Sequence, residues 1–317
     1  MKAYLSFYLS LTLGICLLQP AALAAPSDKA LGRRVVLHFP KDRPIGKLAR
    51  LHEAGEHDIF VEEVFCLAQG DISVDRNDIF LLQVNSEGVK DLGFFNYLPP
   101  GVVPGLEVDK FAITDEQFGR VTALEHLRKL SIREADMHDK SLARLKVCKE
   151  LEDFRLSSAL ITGKGLAAIK DLKTLTVLSL DDNTLGDAAM ANLSGLTNLV
   201  NLRLEATSIG DAGVAYLKNL KKLRRLVVRR NSKITDASIP VFLGFEKVKK
   251  LDLTDCKISA AGLMRFKSMP RLKHLQVAFK DYDAGQLDQV KKALAPQCKL
   301  VDGRDAEKPM VIFSPLH

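Results

Sequence analysis

The chain has 317 residues, 47% apolar and 27% charged, with 46 Lys and Arg against 39 Asp and Glu for a formal charge of +7. That excess is too small to indicate nucleic acid by itself. None of the five cysteines forms a CxxC pair, so neither a redox centre nor a zinc knuckle has support.

Residues 1 to 24 open with Lys2, run apolar from Tyr4 to Leu18 and end on Ala22-Leu23-Ala24. The segment reads as a secretory signal cleaved before Ala25, since its apolar run falls short of the roughly 20 residues that span a bilayer. Cleavage removes one lysine and no acid, lowering the charge from +7 to +6 (7 − 1 = 6). No later run is long or apolar enough to cross a membrane, so the expectation is an exported, periplasmic or extracellular protein with no span in the mature chain.

Residues 25–88 are expected to form a small β-rich N-terminal subdomain or cap. Its short β-prone runs, Val35-Val36-Leu37-His38-Phe39, Ile59-Phe60-Val61, Asp71-Ile72-Ser73-Val74 and Ile79 to Val84, are divided by Pro, Gly and Asp. Between them His52-Glu53-Ala54-Gly55-Glu56-His57 invites a zinc reading, but metalloprotease histidines stand four apart on one helical face. Here they are five apart with a glycine between, and an exposed polar loop is the expectation.

From Val103 to Val277 the chain repeats an apolar pattern every 24 residues, with one extra residue in the Arg229 to Ile234 loop. Strand-like triplets such as Leu178-Ser179-Leu180, Leu202-Arg203-Leu204 and Leu251-Asp252-Leu253 follow an aliphatic three residues earlier and precede another seven residues after their first member. Each unit alternates over a few residues, which makes a short strand, then changes to helical spacing, as in Val214, Leu217 and Leu220. Thr114-Asp115-Glu116-Gln117 has the form of a capping box, with Thr162, Asp187, Asp211, Thr235 and Ser259 near the same phase as helix starts. One such unit cannot bury its own apolar edge, so copies must stack on a shared core.

The LxxLxL pattern followed by I-T-D or I-G-D, clearest from Leu199 through Val214, resembles the leucine-rich-repeat family over roughly residues 100 to 302. The stretch Leu287 to Leu294 followed by Pro296 to Val301 resembles the closing unit of exported bacterial members. The resemblance implies an α/β fold, a right-handed horseshoe solenoid with a parallel concave sheet and outer helices, over residues 89–302 with a C-terminal cap, leaving 303–317 as a tail. It implies a binding role toward macromolecules, without enzymatic activity or cofactor.

Function is then expected on the concave wall, where side chains between and just after the strand aliphatics point. Arg155, Asp181, Arg203, Glu205, Arg225, Arg229 and Asp252 are the candidate contacts for a protein partner, with Asp182, Arg230 and Lys250 beside them. Two patches admit other readings. Eight basic residues and no acid lie between Lys218 and Lys233, which fits an acidic glycan or a set of charges spread over several faces, with Glu205 compensating Arg229. Asp181, Asp182 and Glu205 fit a Ca²⁺ site if they converge, and a solvated acidic rim if they do not. Cys256 and Cys298, in the phase of inward positions, are expected to be free structural thiols, while the state of Cys66 and Cys148 stays open.

Overall fold

The computed structural model describes residues 34–53, 59–90, 92–99, 101–109, 111–122 and 126–304. The expected signal segment at 1–24, residues 54–57 of the His52 to His57 motif and residues 305–317 lie outside the described residues.

Near the N-terminus are β1 (Arg34–His38), β2 (Gly46–Glu53), β3 (Ile59–Leu67), β4 (Asp71–Asp75) and β5 (Ile79–Val84). They are followed by β6 (Gly105–Val108), β7 (Lys129–His138), β8 (Asp153–Leu160), β9 (Val177–Ser179) and β10 (Asn201–Arg203). The last four are β11 (Arg225–Val227), β12 (Lys250–Asp252), β13 (His274–Val277) and β14 (Lys299–Asp302). Among the described residues, β1 and β4 make a two-stranded sheet, and the others a twelve-stranded sheet in the order β14 back to β5, then β2 and β3. β2 pairs antiparallel with both β3 and β5, and β5 begins the parallel stack by pairing with β6. The expected loop at His52 and Glu53 is therefore corrected: both end β2.

Parallel pairing is in register from repeat to repeat, with Leu130 beside Phe154, Phe154 beside Leu178, Leu178 beside Leu202 and Leu202 beside Leu226. All of these are fully buried, and the core they build is continuous from Leu37 to Leu300. A 24-residue unit leaves room for only a short helical return. Most returns are one turn or two, often 3-10, as at Asp187–Leu193 and Gly165–Ala168. Pro240 stands in the first turn of the five-residue helix Ile239–Leu243. The longest helix among the described residues, Ala284–Leu294, opens on an Asp283 capping box and leads into β14, closing the apolar end of the stack.

Two side-chain ladders join the repeats. Behind the strands, the Asn231 amide donates to the carbonyls of Leu204, Val228 and Arg229 at 2.7, 2.9 and 3.2 Å, and its oxygen accepts from the backbone of Thr207 and Ile209. Asn183 does the same two repeats earlier, Thr207 between them donates to Leu204, and Cys256 donates to the Val228 carbonyl at 3.3 Å. At the helix starts, an aspartate of one repeat accepts from the next. Asp139 takes Thr162, Asp187 takes Gly210 and Gly213, and Asp236 takes Ser259. A β-carbon at Gly213 would stand 2.5 Å from the Asp187 carboxylate, so only glycine lets that carboxylate approach. Gly163 stands at an aspartate phase, and the Leu185 carbonyl comes so close that a β-carbon there would lie 2.6 Å from it.

Candidate functional site

Core leucines occupy alternate strand positions, so the residues between them face the inner wall in three rows. The first holds Lys129, Asp153, Val177, Asn201, Arg225, Lys250, His274 and Lys299, each in register with the next. The second holds Glu107, Ser131, Arg155, Ser179, Arg203, Val227, Asp252 and Gln276. Two residues further along each strand direction, Asp181, Glu205, Arg229 and Thr254 form the third.

Five of the seven candidate residues fall into two networks, and Asp252 and Arg225 stand outside them. In the first network Arg155 grips Asp153 through two bonds of 2.8 Å, and Asp153 also faces the buried Lys129 at 3.6 Å. Burial pushes the Lys129 ammonium below its ordinary pKa, with the Asp153 carboxylate pulling the other way. The second network centres on Asp181 and Glu205. Arg203 donates to Asp181 at 2.7 Å and to Glu205 at 3.3 Å, Arg229 stands 3.3 Å from Glu205, and Arg230 meets both Glu205 and Asp182. Burial raises the Glu205 carboxyl, Arg229 and Arg203 oppose that, and Asp181 adds to it. Asp252 stands apart from both carboxylate networks, its Oδ1 accepting from the backbone and hydroxyl of Thr254.

Arg225 is the second residue outside the networks. It is half-buried, and among the described residues no hydrogen bond or ion pair is made by its guanidinium. Burial lowers its pKa, and Arg203 and Arg155 act in the same sense against Asp252 and Asp181.

The basic run from Lys218 to Lys233 is dispersed. Lys221 donates to the Gly244 carbonyl, Lys222 to Asn198, and Arg229 and Arg230 face acids. The three acids of the calcium reading are engaged by arginines, and among the described residues no group of His, Cys, Asp or Glu is arranged to hold a metal ion. Cys66, Cys148, Cys256 and Cys298 are free thiols, the last three buried. Lys129, Asp153, His274 and Lys299 share the inner wall with the candidates but are missing from the sequence-predicted set, which took Arg225 and Lys250 alone from the position just before each triplet. The signal was there: the residue just before each triplet lies on the same face.

A leucine-rich-repeat profile matches residues 171–194 and 246–266. No curated protein matches the chain. Among solved structures, an internalin from Listeria monocytogenes is similar at 21% identity and TM-score 0.45, over 55% of this chain and 54% of that one. A leucine-rich-repeat protein of Leptospira interrogans is similar at 16% identity and TM-score 0.47, over 66% of this chain and 50% of that one. The Arabidopsis receptor kinase HAESA, solved in complex with a peptide hormone and a co-receptor, is similar at 17% identity and TM-score 0.42, over 56% and 34%. The chain thus spans about half the length of the first two and a third of the other.

Proposed function

We propose that this leucine-rich-repeat solenoid is an exported, non-enzymatic protein that binds a protein partner on the inner face of its sheet. Leucine-rich repeats typically serve protein binding, and fold alone does not assign a partner. The observation that carries the reading is the contiguous floor of Asp181, Arg203, Glu205 and Arg229, held in place by mutual ion pairs beside the unpaired Arg225. Charged groups already fixed by neighbours lose little side-chain freedom on contact, and they give selectivity and association rate more readily than bulk affinity. Glycan binding through residues 218 to 233 has less support, because four of those cations are already engaged and point to different neighbours.

Affinity capture from the envelope and medium of the source cells tests this, comparing the protein with an Arg203→Gln, Arg225→Gln, Arg229→Gln variant whose folding is checked by circular dichroism. A discrete protein retained by the parent and lost from the folded variant is the expected result. Identical capture profiles, or retention of acidic glycan alone, would sink the reading.

A further inference from the structure

One row of the inner face differs from everything around it. Arg225, Lys250, His274 and Lys299 are consecutive register partners on β11 to β14. Their neighbours Leu226, Leu251, Leu275 and Leu300 are buried in the core, so these four share the opposite face. Adjacent strands lie about 4.8 Å apart, which sets the charges of Arg225 and Lys250 side by side, an arrangement that repels.

Elsewhere on the floor each cation has its acid: Arg155 has Asp153, Arg203 has Asp181, and Arg229 has Glu205. Along this row, among the described residues, none of the four makes an ion pair, and the buried Nδ1 of His274 has no hydrogen-bond partner. The ammonium of Lys250 is pushed down by burial and by Arg225, and the His274 imidazole by burial, Lys250 and Lys299. Asp252, in the next row, attracts Arg225 from a distance, but its Oδ1 is held by Thr254. The row lacks an anion that its neighbours possess.

We propose that the row Arg225, Lys250, His274 and Lys299 receives a short acidic segment of the protein partner, an extended stretch carrying two or three carboxylates. The proposal rests on the inner-face reading above and names the chemistry of the ligand. Size decides between a peptide and a long polyanion. Three strand spacings make the row about 14 Å long. It ends at Asn201 and Val177 on one side and at β14, the last strand, on the other. An extended peptide presents a side chain on one face every ~6.8 Å, so two or three carboxylates cover it. A longer polyanion would bring its further charges toward Asp181 and Glu205, whose arginines are already committed.

The test is titration of the full chain with a blocked heptapeptide bearing glutamate at alternate positions, followed by fluorescence anisotropy, with the glutamine counterpart and polyglucuronate as comparators. The expected result is a preference of roughly tenfold or more for the glutamate peptide, lost in Lys250→Gln/His274→Gln and reduced in the exposed Lys299→Gln, and unchanged in Lys218→Gln/Lys233→Gln. Added glutamates beyond three should gain no more than about twofold. Equal binding of the two peptides, undiminished binding by a Lys250→Gln/His274→Gln protein that unfolds cooperatively, or affinity that climbs steadily with polyglucuronate length would each overturn the proposal. Partner capture that depends on Arg203 and Arg229 but not on Lys250 and His274 would also overturn it, while leaving the inner-face reading intact.

Discussion

Ser238 Oγ donates to Asp211 Oδ1 at 2.5 Å across the boundary between two repeats, and Thr235 binds the same carboxylate through its backbone and hydroxyl at 2.9 and 2.7 Å. One side chain thus serves the helix start of the following repeat. Asp115 has the equivalent role toward His138 and Ser141.

Asp211→Ala removes one acceptor from three donors in a partly buried seam. The expected loss is about 2 kcal/mol at neutral pH, since donors left without partners are the expensive part of a broken hydrogen bond. Acid adds a second signature. Burial pushes the Asp211 carboxyl up, but the bonds from Ser238 and Thr235 outweigh it and hold the group below the ordinary aspartate range. The folded pKa lies below the unfolded value of about 3.9, so this stability is complete above that pH and is lost as pH falls through the folded value. Urea denaturation at neutral pH and near pH 3 should show the parent losing stability in acid more steeply than the variant, and equal slopes would refute the assignment.

Cys256 carries a prediction at the opposite end of the pH scale. Burial pushes its thiol up to about 12, and that of Cys298 up to about 11. An unfolded thiol ionises near 8.5, so folding stability from Cys256 is complete below that pH and declines as pH rises toward the folded value. The slope from this one group is about 1.4 kcal/mol per pH unit. Burial raises Tyr282 as well, adding to the decline at higher pH. Cys256→Ser keeps a donor for the Val228 carbonyl and cannot ionise in this range, so its stability from pH ~8.5 to ~10.5 should fall less than the parent's. Parallel curves would mean the thiol is more accessible than its 6% exposure implies.

The repeat phase was legible because a 24-residue period fixes every inward leucine at once, and Leu202 is indeed fully buried. The pairing of Arg229 with Glu205 was also within reach, since both follow their strands at the same offset on neighbouring repeats. β2 was not: Leu48, Ala49 and Leu51 break the alternation, and its pairing with β3 shifts register at just those residues. The aspartates at helix starts were visible as residue types, but sequence phase made them local caps, whereas Asp187 and Asp211 bond to the next repeat instead. Nor could sequence separate satisfied cations from unsatisfied ones. Arg203 and Arg225 are both arginines on the same strand face, one row apart, and the positions of Asp181 and Glu205 leave the first paired and the second not.

That distinction gives Arg203→Met and Lys250→Met opposite signs. Arg203 neutralises Asp181, itself 7% exposed, and helps to oppose the burial that raises Glu205. Without it two carboxylates face each other with one arginine fewer, and the expected cost is about 2 kcal/mol, below the range for a fully buried pair because Arg203 is partly exposed. Lys250 has no acid to lose and an arginine beside it in register, so its replacement should leave stability unchanged or raise it by about 0.5 kcal/mol. The Glu205 shift supplies an internal check. A carboxyl whose folded pKa is raised above the unfolded value of about 4.3 contributes stability that is complete below that value and lost as pH rises through the folded one. The deficit of Arg203→Met, in which Glu205 is raised further, should therefore shrink as pH is lowered from 7 toward about 5, while Lys250→Met shows no such recovery. Thermal and urea unfolding of both variants over this range measures the signs directly, and destabilisation of similar size in the two would show that the row from Arg225 to Lys299 is as well compensated as the rest of the floor.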